Sequence, residues 1–432
     1  MSLSWFSWYL FKTSYSSGII YRIDQIISIY SKIKNMSSQA FTELQQAHQS
    51  MANSTKIQYL IQRYGTREEL AKRGIWRGDL YSAAELHYLD RGWCWKTLLL
   101  RGEDGLLVTK LAEVPDNTIA DSAPLHLDKL QSRVRTLTPE RTKTHPLQSD
   151  EEKTNDDRLK EKISLHETLE VIRLDISRLL LDPIFESAEC KAEMIQILYN
   201  YVVHNHTSYK QGYHELCGAV YMQMAKEECE ARKLNTLNIF NKLMKRVRPV
   251  FYEETALLHF AQVKFDRIFK LTMPKLHHLL TVHHGLENTV WLIRWTRLLF
   301  LREFDLNYVL KVWDHLLTFV IPLEDLLACC VVVLLIALTR DLYSCEDQGE
   351  VISILLHYPS DKLIDCVELM KNSASLYELY VTHQHQDMKA LGDNLCRIHN
   401  RQWYDKQTQV VDQNRLRLEE RLKRRVGQRL KR

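Results

Sequence analysis

The stretch HETLEVIRLDISRLL, residues 166–180, sets Leu169, Ile172, Ile176, Leu179 and Leu180 at intervals of three and four. That recurrence is one face of a 3.6-residue helix; a half-buried strand would alternate at every second position. Met194, Ile195, Ile197, Leu198 and Tyr201 repeat the pattern downstream. A turn over 204–208 leads to a further helix from near Gln211 through Met224, and more helices are predicted over 237–252, 255–269, 275–283, 291–300, 306–319 and 325–342. No period-2 run and no internal repeat stands out. Composition agrees: 13 Gly and 9 Pro in 432 residues fall well short of the roughly 12% that these turn-forming residues usually supply. A sandwich, barrel or propeller needs more turns than that. The expectation is an all-α fold with one large helical domain and flanking extensions.

The net charge of +4 is unevenly spread. Residues 415–432 hold nine bases and two acids, a local +7, so the remainder sums to −3. A slightly acidic body argues against nucleic-acid binding, and the tail lacks aromatics for base stacking. Its Leu418, Leu422, Val426 and Leu430 recur every four residues among the bases. An apolar stripe on a basic helix suits an anionic membrane surface or an acidic partner; a solvated, frayed tail is the plainer alternative. Nine scattered cysteines without a zinc spacing point to a reduced intracellular compartment, and Cys329 and Cys330 read as small core hydrophobes. The longest uncharged apolar run, 326–338, is too short to span a bilayer and reads as a buried helix. The start is crowded with Trp5, Phe6, Trp8, Tyr9, Leu10 and Phe11, without the basic lead of a secretory signal. A surface-binding helix, a targeting segment and an upstream extension before Met36 all remain open for it. From about 113 to 161 the chain turns polar and proline-bearing, which reads as an irregular excursion between helical blocks.

Neither phosphate-cradling glycine motif occurs, so a self-contained nucleotide site is not expected. His277-His278 and His283-His284 lack a metal-site pattern, and no metal is expected. Two short constellations remain. In the first, Ile172, Asp175 and Arg178 sit at helical spacing, with Asp175 and Arg178 one turn apart on a shared face; an i,i+3 ion pair is the ordinary reading. In the second, Tyr209-Lys-Gln211-Gly212-Tyr213 occupies the turn before a helix, where Gly212 permits close backbone approach and simple capping is the ordinary reading. A third block, residues 291–317, carries Trp291, Trp295, Leu298 and Leu299 on one face, then Arg302-Glu303-Phe304 and Trp313-Asp314, and reads as core packing.

Taken together in this order, the three resemble the TBC domain family of Rab GTPase-activating proteins. Ile172, Asp175 and Arg178 match its I-x-x-D-x-x-R signature, Tyr209 and Gln211 its Y-x-Q signature, and 291–317 its later conserved region. The strings RWTRLLFLREF, VWDHLL and HYPSD, the YKQG-HEL run and the His145-Pro-Leu147 lead-in look most like the branch represented by TBC domain family member five. Departures are Tyr213 where Met is usual, Leu301 where Gly is commoner, and Asp90 before Arg91-Gly-Trp-Cys-Trp.

The resemblance implies an all-helical domain that is no enzyme on its own and accelerates GTP hydrolysis by a Rab-family small GTPase. Arg178 would be an arginine finger, Gln211 a glutamine finger that orients water, and Asp175, Tyr209, Ile172 and Gly212 their supports. No cofactor is implied, because the partner carries GTP and Mg²⁺. It also implies a cytoplasmic protein peripheral on endosomal or related membranes, with the basic tail meeting an endosomal coat or anionic membrane. A non-catalytic helical scaffold for a Rab or a trafficking complex is the alternative. The expected organisation is an extension over 1–71, the domain over 72–385 and a C-terminal helical segment over 386–432.

Overall fold

The protein is described from a computed structural model, which covers residues 54–101, 107–115 and 155–429. The aromatic start, residues 145–147 and most of the polar stretch lie outside the described residues. The chain divides into two units, Met1–Arg63 and Tyr64–Arg432. In the first, residues 54–63 are helical. The second contains every element discussed below.

In chain order the helices that matter are α1 (Arg91–Leu99), α2 (Asn155–Ser177), α3 (Ala188–His204), α4 (Tyr213–Met224), α5 (Cys229–Phe251), α6 (Asn288–Arg297), α7 (Leu306–Leu316), α8 (Leu323–Ala337), α9 (Gln348–Leu356), α10 (Cys366–Val381), α11 (His385–His399) and α12 (Arg401–Arg429). No strand occurs among the described residues, so the all-α expectation holds. None of the described helices is long and apolar enough to cross a membrane.

The apolar run at 326–338 becomes α8, which is buried on all sides and packs on α10 and α11. A helix without a polar face can exist only in such a place. Cys329 and Cys330 pack there as small apolar groups. The helix is interrupted at Leu338 and resumes over Thr339–Tyr343, past the predicted end at 342, and Asn400 binds both sides of the break: Nδ2 donates to the Ile336 carbonyl at 2.8 Å and Oδ1 accepts from Arg340 N at 3.2 Å. Around the site, α2 packs on α3 and α4, and both α3 and α4 pack on α5. Ile172 and Ile176 supply the buried face of α2.

Two further helices end differently from the sequence reading near the site. Helix α2 starts at Asn155, inside the stretch read as irregular, and ends at Ser177, so Leu179 and Leu180 lie beyond it. Leu179 turns inward, whereas Leu180 is 93% exposed. Helix α6 ends at Arg297 rather than 300. Leu299 takes φ +49°, with Phe300 N bonded to the Trp295 carbonyl at 2.9 Å and Leu299 N to Thr296 at 3.2 Å. This is a Schellman cap with leucine where glycine is usual, so no glycine marks the stop. Burial of Leu299 and the Trp313 Nε1 bond to its carbonyl, 3.0 Å, hold the strained residue in place.

Candidate functional site

Helix α2 closes its last turn with 3₁₀-type bonds, Arg178 N to Asp175 O at 3.2 Å and Leu179 N to Ile176 O at 3.2 Å. Arg178 is therefore delivered just past a helix end, with an exposed side chain. The ordinary ion pair with Asp175 does not form. Among the described residues the Arg178 guanidinium has no hydrogen bond or ion pair, because Asp175 accepts instead from Tyr209 Oη at 2.8 Å.

The turn that carries Tyr209 and Gln211 is shaped by two conformational constraints. After α3, His206 at φ +46° heads a second Schellman cap, with Thr207 N on the Val202 carbonyl at 3.2 Å. Before α4, Gly212 sits at φ +101°. A Cβ there would lie 2.9 Å from both Leu298 Cδ2 and Tyr252 Oη. Glycine is required on both counts, conformation and space. Gly212→Ala is expected to cost about 1–3 kcal/mol, read as a lowered urea midpoint; a wild-type midpoint would show that the turn relaxes freely. Next to it, Tyr213 packs edge-on against Tyr201, Tyr209, Phe240 and Tyr252, which anchors the start of α4.

Arg178 and Gln211, 33 residues apart in sequence, line one pocket of about 380 Å³. Asp175, His214, Glu215 and Arg302 share its polar wall, and Leu179, Leu180, Leu181 and Leu301 its apolar one. Gln211 is exposed and makes no hydrogen bond with a described residue. Ile172 is fully buried behind the pocket, and Tyr209 and Gly212 act from its margin. The sequence reading did not assign His214, Glu215 or Arg302 to the site. Arg302 Nε donates to Glu215 Oε2 at 2.9 Å, with a second bond from Nη2 to Oε1. Their separation of 87 residues leaves no local signal.

Burial, with the Asp175 carboxylate beside it, pushes the Tyr209 phenol up, so it stays protonated and remains a donor. Burial also pulls His214 below the ordinary imidazole value, against the opposing pull of Asp175 and Glu215. The His277 reading changes in one respect: its Nε2 lies 2.8 Å from Asp266 Oδ1 and its ring packs on Phe269. No group of three or more His, Cys, Asp or Glu suited to a metal ion occurs among the described residues.

Chemically, the pocket offers an unpaired permanent cation and an unpaired amide, each on a rigidly held backbone, while its carboxylates are already engaged. Such a surface can receive an oxyanion and a water from outside, but it has no cradle to retain a nucleotide. The family model described as Rab-GTPase-TBC domain matches residues 91–341, more than half of the chain. No curated protein matches. Among solved structures, the Ypt/Rab-GAP domain of Gyp1p aligns with TM-score 0.52 at 17% identity, covering 76% of this chain and 99% of that one, which shows a shared fold. The Chlamydomonas flagellar RabGAP TBC domain aligns with TM-score 0.35 at 17% identity, covering 64% and 87%.

Proposed function

Because this chain belongs to the Rab-GTPase-TBC domain family, we propose that it is a GTPase-activating protein for a Rab-family small GTPase, supplying Arg178 and Gln211 in trans. The convergence of these two exposed, unpartnered side chains on one pocket supports the reading. Phosphoryl transfer asks little covalent chemistry of a protein; it asks for positioned positive charge and a positioned water. Arg178 would neutralise charge that develops between the β- and γ-phosphates, and the Gln211 amide would orient the attacking water. The partner holds GTP and Mg²⁺. Asp175 and Tyr209 join the end of α2 to the turn before α4, which fixes the spacing between the two fingers. The flanking strings support placement in the branch of TBC domain family member five.

Single-turnover GTP hydrolysis measured across a Rab panel tests the proposal. Acceleration of at least one member, lost in Arg178→Lys and Gln211→Ala, is the expected result; binding of a Rab without acceleration of any would leave the scaffold alternative.

The C-terminal segment is proposed to bring the domain to an anionic surface, on endosomal or related membranes or on an acidic coat. Helix α12 leaves Leu416, Leu418 and Leu422 more than half exposed among exposed arginines and lysines, which supports this reading. The stripe positions Val426 and Leu430 fall outside the described side chains. Deleting 415–432 is expected to abolish binding to liposomes containing phosphatidylserine, and the intact chain should lose binding steeply between 50 and 300 mM salt, as screening of surface charge requires. Salt-independent binding of either form would overturn it.

A further inference from the structure

His214 is 6% exposed in the first turn of α4 and lies against Tyr209, Asp175 and Glu215. Its Nδ1 lies 3.0 Å from Tyr209 Oη and 3.4 Å from Asp175 Oδ2, and its Nε2 lies 3.7 Å from Glu215 Oε1. The Tyr209 hydroxyl has one proton, and it is donated to Asp175. The 3.0 Å contact can then be a hydrogen bond only if His214 Nδ1 carries a proton and Tyr209 accepts it. In the neutral ring this leaves Nε2 as a bare lone pair opposite Glu215, which agrees with a separation too long for a hydrogen bond.

We propose that His214 is a positioning residue whose Nδ1–H holds Tyr209 on Asp175, coupling the end of α2 to the turn before α4, and that protonating its ring breaks this coupling. This rests on the reading of Arg178 and Gln211 as the two fingers. The charged and titratable groups facing the ring are Asp175 from α2, Tyr209 from the turn, Glu215 from α4 and Arg302 from the connection between α6 and α7. A second ring proton gives Nε2–H a partner in Glu215, in competition with Arg302, and makes the imidazolium a rival of Tyr209 for Asp175. The buried ring titrates below its ordinary value, so the neutral, coupled state holds at pH 7 and is lost in acid.

The test uses the full chain with a Rab that it accelerates, giving kcat and KM from pH 5.5 to 8, each corrected for the Rab's intrinsic rate. His214→Leu removes the donor and is expected to lower kcat about tenfold, roughly one hydrogen bond at 1.4 kcal/mol per decade, with KM unchanged. Tyr209→Phe should do the same, and the double variant should lose no more than either alone. His214→Asn keeps an N–H near the Nδ1 position but does not titrate; it should retain kcat at pH 7.5 and lose the decline in acid. Wild-type kcat in His214→Leu, or an unchanged acid decline in His214→Asn, overturns the proposal and leaves the fingers standing. Failure of the wild type to accelerate any Rab strikes the finger reading instead. The tautomer is decided apart from activity: ¹⁵N shifts of the labelled His214 ring should report Nδ1–H at pH 7.5, and an Nε2–H ring overturns the proposal.

Discussion

Arg178→Lys is expected to lower the saturating rate of Rab GTP hydrolysis by 10³-fold or more while leaving the fold untouched. An arginine finger is worth roughly 10³–10⁵ in rate, about 4–7 kcal/mol of barrier. Lysine keeps the charge but not the function: its ammonium is a compact, strongly hydrated point charge, whereas the planar guanidinium can bridge two phosphate oxygens without reorganising. Because the Arg178 side chain is exposed and its guanidinium makes no hydrogen bond or ion pair with a described residue, the substitution takes nothing from the folded domain. The melting midpoint should stay within a degree or two of wild type, and KM should move less than kcat, since the finger's interaction develops in the transition state. Single-turnover rates together with thermal unfolding check both halves. A lysine variant as fast as wild type would remove Arg178 from the proposed role.

The largest expected loss of stability lies elsewhere. Asp314 is buried in α7 and accepts from Arg91 Nε at 3.0 Å, Trp95 Nε1 at 2.7 Å and Tyr81 Oη at 3.1 Å. Burial opposes the Arg91 charge, and Asp314 outweighs that penalty. Asp314→Ala leaves a guanidinium largely out of water without its counter-ion, and strands an indole and a phenol donor beside it. Removing one partner of a buried pair costs about 3–5 kcal/mol, much of it the price of the charge left behind. The midpoint of thermal unfolding should fall by roughly 4–6 °C, while Rab acceleration at 15 °C, where the variant is folded, should persist. A midpoint unchanged from wild type would mean that water reaches Arg91 and that the network does not lock α1 to α7.

Much of this was open to reading along the chain. The spacing of Leu169, Ile172 and Ile176 is enough for the buried face of α2, and the charge-free run at 326–338 is enough for a central helix. Gly212 announced its turn because only glycine tolerates that φ. Arg178 and Gln211 stood out through resemblance to a family motif, not through anything that composition or periodicity dictates. The end of α6 was hidden, since Leu299 and Phe300 look like more helix and no glycine marks the left-handed residue.

What the sequence by itself determined is therefore the class of the fold, its helical faces and the residue types offered for chemistry, all of which follow from local periodicity and from backbone preferences a few residues wide. The tertiary structure alone decided the pairings. Asp175 meets Tyr209 across 34 residues, Glu215 meets Arg302 across 87, and Arg91 meets Asp314 across 223. Each pairing was settled because buried polar groups must find partners in whatever the packing brings near. For the same reason Arg178 stays free: the carboxylate one turn away in sequence is taken by a tyrosine that only the fold brings to it.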